Sequence, residues 1–190
     1  MLYIIIIAAV NVAVTLANWI FASHCGLSAL PVWLLLSVYA TAAVIAYDGL
    51  TAFLIRRLPE RWFAPASPAF DVSRAEKKIY RKFNVRALAS RVPELGGFTG
   101  FHKDKLRSSS DAGYLARFLL ESNYGVVIHV VNALGGFVII WLPFMRLSVS
   151  LPVFITNLIL SMLPALVLRA NTPGLRALYL RSVAGKKAEK

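Results

Sequence analysis

Apolar residues in this chain fall into long unbroken blocks, and most charged residues lie between or after them. From Met1 to Ala22 no side chain is charged, and Ile, Val and Ala dominate. At 1.5 Å of rise per residue, a helix of that length crosses a hydrocarbon core of about 30 Å. A second block, Leu30 to Ile55, holds one charge, Asp48. A third, residues 115–142, carries Arg117, Glu121 and His129 but no ionisable side chain after His129. A fourth, residues 151–168, runs into Arg169-Ala-Asn-Thr-Pro173. The pattern predicts an all-α integral membrane protein of one domain, with four transmembrane helices over about 1–22, 30–55, 115–142 and 151–168. The first block lacks the basic start of a secretory signal and reads as a retained span.

Residues 56–110 are of another kind, with 13 basic and 5 acidic side chains. Trp62 and Phe63 among charges suit the headgroup level of a membrane. Ala64-Pro-Ala-Ser-Pro68 reads as a turn. Ser73 is placed to cap a helix, with Glu76 three residues on as in a capping box. On that helix Ile79, Tyr80 and Phe83 share a face, while Lys77, Lys78, Arg81 and Lys82 spread over the other. It reads as a basic amphipathic helix on an anionic leaflet, or alternatively as a solvated helix packed on its neighbours. Pro93 to Gly100 is a glycine-containing loop without phosphate-loop spacing. Ser108-Ser-Ser-Asp111 offers N-caps for the third span, and Gly135-Gly136 allows close helix approach. The basic tail, residues 174–190, is expected to lack fixed structure.

Composition agrees with the blocks. The chain is 58% hydrophobic with mean hydropathy +0.64, against about 45–50% apolar for soluble domains. Net charge is +12, with thirteen of the 21 Lys and Arg between Arg56 and Arg107 and six more after Leu168. Because these bases flank hydrophobic spans, the positive-inside rule accounts for them, and anionic membrane lipids rather than nucleic acid are the expected partners. The bias places both termini in the cytoplasm of a multi-pass protein of a bacterial-type plasma membrane. The single cysteine, Cys25, excludes an intramolecular disulfide. Beside His24 it is a nucleophile or, more simply, a small apolar residue near an interface. His24 before it does not suit a lipobox.

Ionisable groups inside a span are costly, so Glu121 and His129 are candidates for function. Eight residues separate them, about 12 Å of rise and roughly 80° of rotation on an ideal helix. They can face one cleft without touching. The alternative is structural: Glu121 pairs with Arg117, four residues before it, and His129 bonds a backbone carbonyl. Asp48 either pairs with Arg56 or Arg57 or lines a site. Topology clusters Glu121, Arg169 and Asn171 near the cytoplasmic face, with His129 deeper. His24, His102 and His129 are too scattered to predict a metal site.

Several motifs occur in a recognisable order: Arg57-Leu-Pro-Glu-Arg-Trp-Phe63, Glu76 with Ile79-Tyr80 and Phe83-Asn-Val85, Glu121 with His129, and Pro164 leading to Arg169-Ala-Asn-Thr-Pro173. Over about Arg56 to Arg176 the chain resembles the small membrane acyltransferases typified by glycosyl-4,4'-diaponeurosporenoate acyltransferase. That family esterifies a sugar hydroxyl in carotenoid biosynthesis. The resemblance implies transfer of a fatty acyl group from a cytoplasmic donor, acyl-CoA as co-substrate, to a hydroxyl of a glycosylated lipid or isoprenoid, with no bound cofactor. It implies His129 as general base, with Glu121 orienting it or binding sugar hydroxyls. Arg169 and Asn171 would serve the oxyanion or thioester, and Arg117 the substrate. Lys77, Lys78 and Arg81 would hold the donor's phosphates. No protein nucleophile is evident, which favours direct transfer. The competing readings are a non-catalytic membrane adaptor or lipid-binding subunit, and another cytoplasmic-face lipid-modifying transferase or a reductase. The sequence assigns no oligomeric state.

Overall fold

A computed structural model describes residues 2–22, 30–85 and 111–188. Cys25, His102, the glycine-containing loop and Ser108 to Ser110 lie outside the described residues. Among the described residues there is no strand. Helix α1 spans Leu2–Ala22 and α2 Leu30–Ile55; short 3₁₀ turns follow at Glu60–Phe63 and Pro68–Phe70. Next come α3, Arg74–Lys82, and α4, Ala112–Gly135, which a 3₁₀ segment extends from Gly136 to Trp141. The last helix, α5, is Leu147–Ala188. Four helical stretches are long and apolar enough to cross a membrane: Tyr3–Ala22, Leu30–Ile55, Ala112–Trp141 and Leu147–Gly185.

The chain divides into two compact units. One comprises Met1–Leu54 and Ile128–Met162, the other Ile55–Val127 and Leu163–Lys190. In the first, the usual pattern of a soluble protein is inverted. Ser37 and Ala40 are fully buried, while Ile4, Ile5, Leu35 and Ile45 are exposed. Such an apolar exterior suits hydrocarbon, where small and polar residues instead hold helices together. Asn11 does this for α1 and α2. Its Nδ2 donates to Thr41 Oγ1 at 3.0 Å, and its Oδ1 accepts from Ser37 Oγ at 2.7 Å. Val14, Trp33, Val44, Ile139, Val149 and Val153 complete that core. The close approach expected at Gly135-Gly136 is present. A Cβ on Gly135 would overlap the Tyr47 ring and hydroxyl, and one on Gly136 would lie 2.6 Å from Asn157 Nδ2.

In the second unit, Phe63 is buried and stacks on Tyr124 with ring centroids 3.9 Å apart. Asn123 Nδ2 donates to Phe63 O at 2.9 Å, and Tyr124 Oη donates to Leu58 O at 2.9 Å. These bonds seat the turn after α2 on α4. Asp111 caps α4, its Oδ1 accepting from Gly113 N and Tyr114 N. Phe118 and Leu119 pack against Leu175. The capping box of α3 forms as the sequence predicts: Glu76 N donates to Ser73 Oγ at 3.1 Å, and Ser73 N donates to Glu76 Oε2 at 3.3 Å. Ile79 and Phe83 stay exposed, at 53% and 69%. An uncovered apolar edge beside Lys77, Lys78, Arg81 and Lys82 is the form of a helix that lies on a membrane surface.

One boundary departs from the sequence expectation. Rather than ending near Arg169 and leaving a structureless tail, α5 continues through Pro173 to Ala188. Proline removes one N–H donor from the helix, but the residues on either side are anchored. Arg169 is bound to Glu76 and Arg176 to Asp71, so the second unit holds the helix across the break.

Candidate functional site

The second unit's site is built where α3 and its approach meet α5. The capping box orients Glu76, and Arg169 grips it with two parallel bonds, Nε to Oε1 at 2.5 Å and Nη2 to Oε2 at 3.1 Å. Bidentate charge-assisted pairing of this kind is strong and directional. Arg169 Nη2 also donates to Asp71 O at 3.1 Å. Tyr80, one turn after Glu76, donates its hydroxyl to Glu76 Oε1. Seven residues after Arg169, and so on nearly the same helix face, Arg176 pairs with Asp71 and donates to Ala66 O at 2.9 Å. The Arg169 guanidinium holds the Glu76 carboxyl down at about 2, against the opposing effect of burial and with help from the Tyr80 hydroxyl. Burial and the Glu76 charge push the Tyr80 phenol up to about 12.

Beside these ion pairs lies an open cleft of about 370 Å³, lined among others by Phe70, Asp71, Lys77, Thr172, Arg176 and Leu180. Thr172 is buried and donates its hydroxyl to Leu168 O at 3.0 Å.

A separate ionic cluster surrounds Glu121. Arg56 Nη1 lies 2.8 Å from Oε2 and Arg117 Nη2 lies 2.7 Å from Oε1. Arg117 also reaches Glu60 at 3.5 Å. The helical pairing of Arg117 with Glu121 is therefore present, with Arg56 as a partner that spacing did not indicate. Arg56 goes to Glu121 and not to Asp48.

Asp48 belongs to the first unit. It lies beside Asn157, and its Oδ1 is buried without a hydrogen-bond partner among the described residues. Around it Thr51 donates to Asn132 Oδ1, Asn157 Nδ2 donates to Asn132 O at 3.0 Å, and Ser161 donates to Asn157 Oδ1 at 3.4 Å. His129, half-buried, sits one turn before Asn132 on α4.

The sequence candidates are thus distributed. Arg117 and Glu121 are joined, whereas Arg169 pairs with Glu76 and donates to Asp71 O. Asn171 is half-buried on α5, and His129 belongs to the other unit. Lys77 lines the cleft, whereas Lys78 and Arg81 are exposed and absent from its walls. Glu76, Tyr80, Asp71 and Arg176 were missing from the sequence's candidate list. The signals were there: Glu76 and Tyr80 four apart, Arg169 and Arg176 seven apart. Capping, however, already accounted for Glu76.

Helices with apolar exteriors and buried polar contacts, together with a charged site on the polar segment, define a helical integral membrane protein. Residues 59–181, about two-thirds of the chain, match the family model of glycosyl-4,4'-diaponeurosporenoate acyltransferase. The chain belongs to that family of carotenoid-biosynthesis acyltransferases. The matched stretch includes α3, α4 and α5 as far as Arg181, and leaves α1 and α2 outside. No curated protein and no solved structure matches the chain.

Proposed function

We propose that the protein transfers a fatty acyl group from a cytoplasmic donor, acyl-CoA, to a hydroxyl of a glycosylated lipid or isoprenoid. The observation that carries this reading is the Glu76–Arg169 pair. It joins, across 93 residues of sequence, two of the motif stretches on which the family resemblance rests, and both lie inside the matched segment.

In direct transfer the acceptor oxygen attacks the acyl carbonyl, the carbon–sulfur bond breaks, and the acceptor's proton passes through a base to the departing thiolate. His129 is the base in this reading, an assignment that stands on the sequence. Arg169 commits Nε and Nη2 to Glu76 and Asp71; in this reading its Nη1 and the Asn171 amide are the donors for the developing oxyanion. Both Glu121 oxygens are occupied by guanidinium groups, so Glu121 is a positioning residue and not the base. Lys78 and Arg81 meet an anionic inner leaflet, with both termini cytoplasmic in a bacterial plasma membrane.

The test is transfer of radiolabelled palmitoyl-CoA to a membrane glycolipid extract by the purified protein in detergent. His129→Ala is expected to lose about 10²–10⁴-fold in rate while still inserting and folding. Full activity in His129→Ala would remove the base assignment. If the wild type transfers no label from several acyl donors and co-purifies with a stoichiometric protein, the adaptor reading replaces this one.

A further inference from the structure

We infer that the cleft beside α3 binds the phosphate group of the acyl donor, with Lys77 and Arg176 as the cations that hold it. The ligand class is a phosphate ester that also carries a fatty acyl chain, a description that fits both a coenzyme A thioester and a membrane phospholipid. Calling that ligand an acyl donor rests on the transferase reading; phosphate binding by the cleft does not.

Size and charge limit what the cleft can hold. At about 370 Å³ the cleft is at the lower end of ligand-site volumes. It accommodates a phosphate and the start of a flexible arm, not a complete donor. Its walls carry two cations, Lys77 and Arg176, and one carboxylate, Asp71. Lys77 is exposed and makes no ion pair with another described residue. Arg176 is held more rigidly, its side chain 23% exposed and its fork directed by Ala66 O and Asp71. Asp71 is the looser partner, 61% exposed. An entering phosphate can therefore replace the Asp71 carboxylate on a guanidinium already in place, and planar guanidinium forks suit phosphate oxygens. Thr172 spends its proton on Leu168 O and forms wall rather than donor. Phe70 and Leu180 give the cleft apolar sides for the non-polar part of the ligand. Lys78 lies about 100° round α3 from Lys77, and Arg81, one turn further along, is also absent from the walls. Geometry thus keeps one of the three bases expected from the sequence and adds one that spacing did not suggest.

The full-length protein in phosphatidylcholine nanodiscs provides the test, by equilibrium binding of radiolabelled palmitoyl-CoA. S-palmitoyl-pantetheine, the same thioester without phosphate, is the paired probe, and dihexanoyl phosphatidylglycerol is the competitor. Lys77→Glu and Arg176→Gln should each weaken palmitoyl-CoA by about tenfold or more, as loss of a charge-assisted contact does. Arg74→Glu makes the same charge change as Lys77→Glu on the same helix outside the cleft, and should shift binding by less than about twofold. S-palmitoyl-pantetheine should bind more weakly and respond to none of the variants. If only the phosphatidylglycerol binds, and does so in a Lys77-dependent way, the phosphate comes from a phospholipid. Should Arg176→Gln fail to fold, Lys77→Glu decides, since Lys77 supports no other described residue. Equal binding of the phosphate-bearing and phosphate-free probes, or wild-type binding by Lys77→Glu, overturns the proposal. Phosphate-dependent binding without transfer from any donor would leave the cleft standing and sink the transferase reading. Transfer unaffected by Lys77→Glu would do the reverse.

Discussion

Glu76 serves two structures with one carboxylate, capping α3 through the Ser73 backbone and pairing with Arg169 on α5. Because Arg169 lowers its folded value to about 2 from an ordinary 4.5, the sign of the pH effect follows. A depressed carboxylate contributes stability that is fully present above its unfolded value and is lost as pH falls toward the folded one. The thermal midpoint in detergent should therefore drop as pH falls from about 4.5 toward 2. Glu76→Gln should flatten that dependence and cost about 1–3 kcal/mol near neutrality. An unchanged acid limb in Glu76→Gln would assign the loss to other carboxylates. Tyr80, raised to about 12, works at the other end of the scale. Its contribution is present below its ordinary value near 10 and disappears as pH rises through 12.

Among the elements, α4 depends most on having no side chain at one position. Gly135 lies against Tyr47, and any Cβ there meets the ring and hydroxyl. Gly135→Ala should destabilise the first unit by about 1–3 kcal/mol, the usual cost of overpacking. Tyr47→Ala in the same chain should recover part of the loss by making room. Thermal unfolding of the single and double variants in one detergent measures both. No change in Gly135→Ala would mean that Tyr47 swings aside freely. Helix α5 teaches the complementary lesson: Pro173 signals an end locally, yet Arg169 and Arg176 on either side are tied to Glu76 and Asp71, so the helix passes through. For α3, Ile79 and Phe83 remain uncovered, which is the property a helix needs to rest on lipid.

At the scale of the whole molecule, sidedness is the testable property. Residues 56–107 hold thirteen bases and the stretch after Leu168 six, whereas the segment around Cys25 has none and that around Arg146 has one. In the orientation we propose from this asymmetry, the basic parts face the cytoplasm and Cys25 the opposite side. Cys25 is the chain's one thiol, so no engineered residue is needed to check it. A membrane-impermeant maleimide should label the native protein in intact cells. Labelling only after permeabilisation would reverse the orientation.

What the sequence determined by itself is local or additive. Span length follows from consecutive apolar residues, the Ser73–Glu76 capping box from a spacing of three, and the Arg117–Glu121 pair from a spacing of four. Each depends on chain neighbours alone, so each was legible. The motif order also pointed to the acyltransferase family that the match over residues 59–181 shows. Only the tertiary structure decided which long-range partners these groups take: Arg169 for Glu76, Arg56 for Glu121, and Arg176 and Lys77 on one cleft. A bond across 93 residues has no periodicity to betray it. It exists because packed helices bring two faces together, and a charged group held away from water must pair with whatever opposite charge that packing supplies.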